Sequence, residues 1–342
     1  MKKLLKAIMK IVIGLVCFVL LVLGTVHFGE RIWMSEFYSN SEKTFATPGS
    51  NDGAVQQGFD YVEKDKVFLV ASYMTDTTAS SRVYVVDEEG KSFYTELLYA
   101  DGSNYNDHTG GIECDGEYVY ITYTSEKYPS GLAVFSYADI LSGKSAKMLG
   151  LINTYNDPAH CYIQGGYMYA GSFYIAENYE TPAHERIETP SGDKNTSLIT
   201  VFKMDESSEF GVNPTPVAVI STPDCVQGMC FTDDNKIVLS TSYGLSASHL
   251  LVYDLDKVVS KTGYTFAGTT NKGEEFSFEN LSVSYLDSAS LVDTIQAPPM
   301  AEELVYLDGK IYIMNESACN KYIFGKFTSG YHVYAYKYAE SK

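Results

Sequence analysis

The chain has 342 residues, of which 45% are apolar and 14% aromatic, so it can bury a large core. Its formal net charge is −18, with 43 acidic residues against 25 basic ones. A field of that sign repels nucleic acid, which argues against a nucleic-acid partner. The acidity is compatible with cation binding, and solubility alone also accounts for it.

A basic lead and a long apolar run begin the chain. Residues 1–10 are rich in lysine, and residues 11–28 contain no full charge. Such a run spans a bilayer core of about 30 Å with help from its flanks. Because basic residues stay on the cytoplasmic side, the pattern predicts a single-pass anchor in the cell membrane, with everything after Glu30 outside the cytoplasm. A cleaved signal peptide is the alternative, but residues 23–28 match a cleavage site poorly.

Residues 29–53 contain several Ser, Asn and Gly residues and one Pro, which is typical of a linker. We expect them to form a stalk between the membrane and the globular part. Residues 44–47 are the exception, since they have the composition to add an edge strand to the structure that follows.

From residue 54 to residue 342 the chain repeats one phrase: Val, then Tyr or Phe, then any residue, then an apolar residue. This alternation predicts a half-buried strand that ends in a turn. The five copies begin at Val83, Val134, Val201, Val252 and Val333. Each follows an earlier apolar strand, and these lead strands begin at Gly58, Gly111, His160, Gly228 and Glu303.

The spacing between lead and phrase is nearly constant in three copies, which indicates one repeated unit. Strand-rich units of about 50 residues are typical of propeller blades. The sequence therefore predicts an all-β fold, a five-bladed β-propeller over residues 54–342, preceded by one transmembrane helix. Two insertions depart from the repeat, at residues 177–195 and 262–299. The second contains a possible hairpin at residues 275–286, which leaves a sixth, degenerate blade open.

Cysteine usage does not fit a disulfide-rich secreted protein. Cys17 lies in the apolar run, and five cysteines follow it, an odd number. A bridge between Cys225 and Cys230 is conceivable, but nothing in the sequence requires it. No Cys-x-x-Cys pair is present, so a zinc ribbon or thioredoxin-type site is absent.

The candidate site lies where the blades begin, because innermost strands bring their first residues to one mouth of the central channel. Polar residues recur at this position, and we expect them to converge as a ligand-binding set: Gln57, His108, His160, Gln227, Glu302 and Glu303. His184 and His249 are expected to be ordinary surface or edge residues, and His27 and His332 are weak candidates.

Two imidazoles and a carboxylate around a channel suit a divalent transition metal, so His108, His160 and Glu302 are the candidate metal ligands. The same three side chains could act as acid and base, and they are the candidate catalytic residues. The competing interpretation is a polar plug, in which the side chains bond to each other and to water. Common hydrolase, phosphate-loop and EF-hand motifs are missing, so the sequence assigns no reaction.

The repeated units also resemble a known group. A Gly-apolar lead, an Asp-Gly turn such as Asp115-Gly116, and a third strand such as Val252-Tyr253-Asp254-Leu255-Asp256 resemble bacterial extracytoplasmic propeller repeats of the YVTN, NHL and quinoprotein-like types. The resemblance implies the fold and a location outside the cytoplasm, and it implies no particular activity. The chain departs from quinone-cofactor propellers, whose repeated Trp signature it lacks, having only Trp33.

Three functions remain open. The leading hypothesis is a membrane-anchored extracytoplasmic binding or scaffold module for a protein, a glycan or a small molecule. The second is a metal-assisted lyase or hydrolase at the channel mouth. The third is a structural subunit of an envelope complex that uses the two insertions as contact surfaces.

Overall fold

The β-strands of the chain form a ring of five blades around a central axis. The computed structural model describes residues 2–124 and 127–339. Each blade is one sheet, and its first strand packs beside the first strands of the two neighbouring blades, which closes the ring. The predicted five-bladed propeller is therefore confirmed.

In chain order, the elements before the first blade are α1 (Lys2–Trp33), α2 (Ser35–Ser39) and β1 (Ser41–Ala46). Blade 1 contains β2 (Ala54–Val62), β3 (Val67–Met74), β4 (Arg82–Asp87) and β5 (Ser92–Leu98). Blade 2 contains β6 (Thr109–Cys114), β7 (Tyr118–Tyr123), β8 (Gly131–Ser136) and, after α3 (Tyr137–Leu141) and β9 (Ser145–Lys147), β10 (Gly150–Asn153). Strand β9 pairs with β5 and so extends blade 1.

Blade 3 contains β11 (Pro158–Gln164), β12 (Tyr167–Ser172), β15 (Ser197–Met204) and β16 (Val212–Thr222), with the small pair β13 (Ile187–Glu188) and β14 (Lys194–Asn195) in a loop. Blade 4 contains β17 (Val226–Thr232), β18 (Lys236–Thr241), β19 (Ser248–Asp254) and β22 (Leu291–Ala297). The hairpin of β20 (Val259–Thr269) and β21 (Glu275–Tyr285) lies between β19 and β22 in sequence. Blade 5 contains β23 (Ala301–Leu307), β24 (Lys310–Asn315) and β25 (His332–Tyr336).

The repeated phrase forms the third strand of every blade, as its pattern predicted. In β4, Val83 and Val85 are buried in a cluster shared with blade 2, while Tyr84 and Val86 are buried in a cluster shared with blade 5. Each blade is covered on both faces by its neighbours, so both sides of the alternating strand are apolar. The expectation of a half-buried strand is therefore wrong, and the polar residues of the phrase, such as Ser136, Lys203 and Asp254, lie at or next to the ends of their strands.

The ring is closed by β1, which adds a fourth strand to blade 5. It pairs antiparallel with β25, with Ser41 opposite Tyr336 and Lys43 opposite Tyr334. This confirms the edge strand expected from residues 44–47. The rest of the predicted stalk differs from what the structure shows, because Met34 and Phe37 are buried in a core shared with blades 4 and 5.

The insertion after β19 does not form a sixth blade. Strand β21 pairs parallel with β16, with Val283 beside Val219, so the hairpin extends the outer edge of blade 3. Blade 4 already has its fourth strand in β22. The hairpin buries Phe266 and Leu281 against blade 3, and this apolar packing directs it there rather than into a free-standing sheet.

One face of the ring, here called the mouth face, carries the starts of the inner strands and the loops between second and third strands. Helix α1 runs along the rim of blade 5 toward this face. His27 Nδ1 lies 2.9 Å from the Phe327 carbonyl oxygen in the blade 5 loop, and Tyr38 donates a hydrogen bond to Glu30. Residues 2–22 of α1 are exposed beyond these contacts.

The structure also bears on the membrane span and on the disulfide that were considered from the sequence. Among the described residues, α1 alone is long and apolar enough to cross a membrane. All six cysteines, which fall within the described ranges, are free thiols, so Cys225 and Cys230 are not bridged.

Candidate functional site

All five inner strands bulge at the same level, close to the mouth face. Each strand has one residue more than its partner there, and the bulges fall at Gln57, Gly110–Gly111, Ala159, Gln227 and Glu302–Glu303. A bulge bends a strand and re-aims its side chains. Four predicted site residues therefore lie at the bulges: Gln57, Gln227, Glu302 and Glu303.

The Glu303 side chain fills the axis of the ring. Its Oε2 accepts hydrogen bonds from the backbone N–H groups of Phe59 and Ile112, both at 2.8 Å. Its Oε1 accepts a third from the Cys161 N–H at 3.1 Å. One fully buried carboxyl group on blade 5 thus binds the inner strands of blades 1, 2 and 3.

Two glycines make room for this side chain. A Cβ atom at Gly111 would lie 2.4 Å from Glu303 Oε1, and one at Gly228 would lie 2.4 Å from the Glu303 Cα atom. Glycine is the residue that allows so close an approach of backbone to another group. The Gly-apolar lead of the repeat is therefore a requirement of the packed axis.

Two further acids continue the connections between blades. Asp60 Oδ2 accepts a hydrogen bond from the Cys114 N–H at 2.9 Å. The Glu113 carboxyl group accepts a hydrogen bond from the backbone N–H of Ile163. Burial raises the pKa of Asp60 to about 7 and raises the pKa values of Glu113 and Glu303 well above their usual range. In this part of the ring the axis is a packed polar plug, formed by carboxyl groups that are bonded to the backbone of neighbouring blades.

A second pair of acids lies on the mouth side of the plug. Glu302 and Glu316 are both buried, and Gln57 Nε2 donates a hydrogen bond to Glu316 Oε2 at 2.9 Å. Burial raises the pKa of Glu316 to about 7, although Lys321 opposes it, and burial with the nearby Glu316 raises the pKa of Glu302. Glu302 Oε1 is buried without a hydrogen-bond partner.

His108 lies at the outer edge of the same mouth. Its ring packs on Tyr73, with centroids 4.0 Å apart, and Lys321 Nζ donates a hydrogen bond to the Tyr73 hydroxyl at 2.7 Å. Desolvation of the imidazole by its neighbours lowers the pKa of His108, and the Lys321 charge lowers it further. The ring is therefore neutral at physiological pH and offers a donor and an acceptor.

His160 is not part of this mouth cluster of Gln57, Tyr73, His108, Glu302, Glu316 and Lys321. Its ring is fully buried, and a Cβ atom at Gly171 would lie 2.2 Å from its Nε2. Burial lowers the pKa of His160 to about 3, so the ring is neutral.

The predicted metal site is not preformed in the part of the chain that the structure describes. Within residues 2–124 and 127–339, no group of three or more His, Cys, Asp or Glu side chains could hold a metal ion. The ligand set of His108, His160 and Glu302 stays a prediction, and so does its catalytic use.

Several residues of the axis and mouth were not singled out from the sequence. The sequence does mark Asp60 and Glu113, because each is a carboxylate inside an otherwise apolar inner strand. Glu316 and Lys321 had none, since they come from a loop of blade 5 that has no counterpart in the other units.

Comparison with known proteins shows no family for this chain. No family model matches the chain, and no curated protein matches it in sequence. Similar solved structures include the PQQ-bound aldose sugar dehydrogenase of Streptomyces coelicolor, at 11% identity over 86% of this chain and 95% of that chain, with a TM-score of 0.42. A GH43 β-xylosidase/α-arabinofuranosidase from a compost microbial metagenome gives 11% identity, coverages of 81% and 90%, and a TM-score of 0.44.

BamB of Moraxella catarrhalis is also similar, at 8% identity over 82% of this chain and 84% of that chain, with a TM-score of 0.31. Likenesses this distant assign no activity, and the five-bladed fold rests on the strand pairing described above.

Proposed function

We propose that this protein is a membrane-anchored, extracytoplasmic binding module whose mouth face lies against the bilayer surface. The observation that carries the proposal is the contact between α1 and the blade 5 loop, where His27 Nδ1 meets the Phe327 carbonyl oxygen at 2.9 Å. His27 is near the end of the apolar run of residues 11–28. When that run spans the membrane, Phe327 and its loop lie at the membrane surface.

The charge distribution along α1 supports this topology. Lysines concentrate in residues 1–10, and the positive-inside rule keeps them in the cytoplasm. The propeller then lies outside, at the other end of the run. Helix α1 extends from Lys2 to Trp33, so residues 29–33 leave about one and a half turns beyond the apolar run for contact with the propeller rim.

The mouth-face loops carry exposed apolar side chains on three neighbouring blades. Leu245 is 68% exposed and Tyr179 is 62% exposed, and Tyr243, Ile323 and Phe327 are also exposed. Aromatic and aliphatic groups of this kind are stabilised at the headgroup level of a bilayer. Loops from blades 3, 4 and 5 would therefore rest on the membrane on the side where α1 enters it.

The mouth cluster supplies the binding chemistry. Glu302 Oε1 has no protein partner, Gln57 and Glu316 form a hydrogen-bonded pair, and His108 lies at the rim. Together they offer hydrogen-bond donors and acceptors beside the Lys321 ammonium group, which suits a polar ligand presented close to the membrane. A scaffold or a subunit of an envelope complex would be anchored in the same way, and neither function requires a second site.

Tryptophan fluorescence tests the orientation, because the chain has one Trp. In a Trp33→Phe background, Phe327→Trp places a fluorophore on the mouth face, and Tyr167→Trp places a matched one on the opposite face. The full chain is reconstituted into vesicles that contain brominated phospholipid. We expect strong quenching for Phe327→Trp and little for Tyr167→Trp.

Equal quenching of the two variants, or stronger quenching of Tyr167→Trp, would contradict the membrane-facing mouth. Extraction of the parent chain from membranes by alkaline carbonate would contradict the anchor itself. The two parts of the proposal therefore fail separately.

A further inference from the structure

The blade 5 loop, residues 316–331 between β24 and β25, differs in charge from the corresponding loops of the neighbouring blades. It carries Lys321 and Lys326, and its single acid, Glu316, is buried. The loop of blade 4, residues 242–247, carries no charge, and the loop of blade 3, residues 173–196, carries more acids than cations. The loop that contacts α1 is therefore basic, in a chain whose net charge is −18.

Both lysines bond to neutral partners. Lys321 Nζ donates to the Tyr73 hydroxyl at 2.7 Å, and Lys326 Nζ donates to Asn51 Oδ1 and Asn320 Oδ1 at 2.8 and 2.5 Å. Within residues 2–124 and 127–339, neither lysine forms an ion pair. An ammonium group has three N–H donors, so each lysine can also bind an anion from outside the chain.

Ile323 lies between the two lysines in a backbone conformation that is rare for its side chain. Its φ is 54°, in the left-handed region that Gly and Asn adopt easily and that β-branched residues avoid. The side chain is 53% exposed, so little packing within the chain compensates for the strain. Strained residues of this kind concentrate at ligand-binding sites. An exposed isoleucine at this position indicates a contact made outside the chain.

The loop holds this conformation by close packing of its own backbone. The Ile323 N–H donates to the Cys319 carbonyl oxygen at 2.8 Å. A Cβ atom at Gly325 would lie 2.3 Å from Ser317 Oγ, and one at Gly330 would lie 2.0 Å from the same atom. The two glycines therefore let the loop fold back on its first turn. Ile323 is thus presented by a closely packed loop.

We propose that the blade 5 loop binds anionic phospholipid at the membrane surface, with Ile323 and Phe327 among the acyl chains and Lys321 and Lys326 at the phosphate groups. Phe327 is 41% exposed, and its carbonyl oxygen lies 2.9 Å from His27 Nδ1 of α1. Lysines beside inserted apolar side chains extend to the headgroups and attract anionic lipid. The inference rests on the membrane-facing mouth proposed above and adds the class of lipid.

Vesicles that differ only in which lipid carries bromine test the inference. Both sets contain phosphatidylcholine with phosphatidylglycerol as one fifth of the lipid, and the full chain is reconstituted into each. The bromine is on the phosphatidylglycerol in the first set and on an equal amount of phosphatidylcholine in the second. In the Trp33→Phe background, we expect Phe327→Trp to be quenched at least twofold more strongly in the first set, because anionic lipid is enriched at the loop.

Removal of charge tests the two lysines. In the same background, Lys321→Gln with Lys326→Gln should abolish the preference, since glutamine keeps an N–H donor and has no charge. The matched control is Lys66→Gln with Lys203→Gln, which removes two exposed charges from the opposite face and should retain the preference. Ile323→Asn suits the left-handed conformation, so it should fold and yet weaken quenching by both lipids. Circular dichroism verifies that each variant is folded.

The outcomes separate this inference from the orientation on which it rests. Equal quenching of Phe327→Trp in the two vesicle sets would overturn the lipid preference and leave the membrane-facing mouth intact. Absence of quenching in both sets would overturn the orientation and the inference together. The inference also fails if the folded loop variant without both lysines keeps the preference, if the opposite-face control loses it, or if Ile323→Asn leaves the quenching unchanged.

Discussion

Two buried carboxyl groups in this molecule have opposite surroundings. Glu303, at the ring axis, receives three backbone N–H groups from three blades. Glu185, under the hairpin beside blades 2 and 3, receives one hydroxyl group, and its second oxygen has no hydrogen-bond partner. Both are fully buried, so burial alone does not distinguish them.

The difference indicates how much each carboxyl group contributes to the stability of the fold. A buried acid whose oxygens are all bonded within the chain stabilises the fold, because its loss leaves donors unpaired. A buried acid with one oxygen unpaired makes fewer bonds to the fold, so its replacement by an amide costs less. The number of hydrogen bonds that each acid accepts therefore predicts how much its replacement destabilises the fold.

The largest expected effect is on stability, from removal of the axial acid. Glu303→Ala leaves three buried N–H groups without an acceptor, at about 1–3 kcal/mol each. We expect a loss of at least about 3 kcal/mol in the free energy of unfolding, measured by urea titration of the full chain in detergent. Glu302→Ala is the matched control, since the three N–H groups keep their acceptor. An equal or larger loss in that control would refute the role given to Glu303.

The next effect is a decrease in stability from pH 6.5 to pH 8.5. Burial raises the pKa values of Asp60 and Glu316 to about 7 and that of Glu185 to about 8, whereas unfolded carboxyl groups titrate near 4. The folded state thus holds more protons than the unfolded state in the interval between these values. Stability is lost as pH rises through the folded pKa values, at up to about 1.4 kcal/mol per pH unit for each group.

Histidines oppose this trend only at lower pH. His160 has its pKa lowered to about 3, so below about pH 6.5 the unfolded state takes up a proton that the folded state does not. The interval above pH 6.5 is therefore set mainly by the acids. Thermal unfolding at constant ionic strength measures it, and a melting temperature that rises or stays constant from pH 6.5 to 8.5 would contradict the raised pKa values.

The smallest expected effect sharpens the comparison at Glu185. Glu185→Gln keeps an acceptor for the Ser172 hydroxyl and has no group that ionises, so it mimics the protonated acid. Between pH 6.5 and 8.5 we expect this variant to lose about 2 kcal/mol less than the parent. Thermal unfolding of both chains gives the difference, and parallel pH profiles would show that Glu185 does not titrate in this interval.

Most of the fold could be predicted from the sequence, because a repeated unit can be recognised by its regular spacing. The third strands from Val83 to Val333 are buried on both faces, which leaves a near-continuous apolar phrase. The hairpin was harder to place, since its position depends on which apolar surface it covers. Phe266 packs on blade 3, but the residues around Phe266 in the sequence do not indicate which blade it contacts.

The candidate site was predicted less completely. The lead residues Gln57, Gln227, Glu302 and Glu303 do lie together at one level of the ring, because their position in the repeat fixes their place on the inner strands. Which acid is satisfied depends on contacts across the axis, and no sequence pattern encodes those contacts. His184 was taken for a surface residue because the hairpin that covers it lies about 80 residues further along the chain.

The most direct test replaces both acids by the same amide. At Glu303 the amide nitrogen cannot accept the N–H group it would face, whereas at Glu185 glutamine preserves the hydrogen bond that the acid makes. Urea unfolding of Glu303→Gln and Glu185→Gln at pH 6.5 should show a loss of about 1–3 kcal/mol for the first and within about 0.5 kcal/mol of the parent for the second. Equal losses, or a larger loss at Glu185, would contradict the distinction between an acid that holds the ring together and an acid whose second oxygen the fold leaves unpaired.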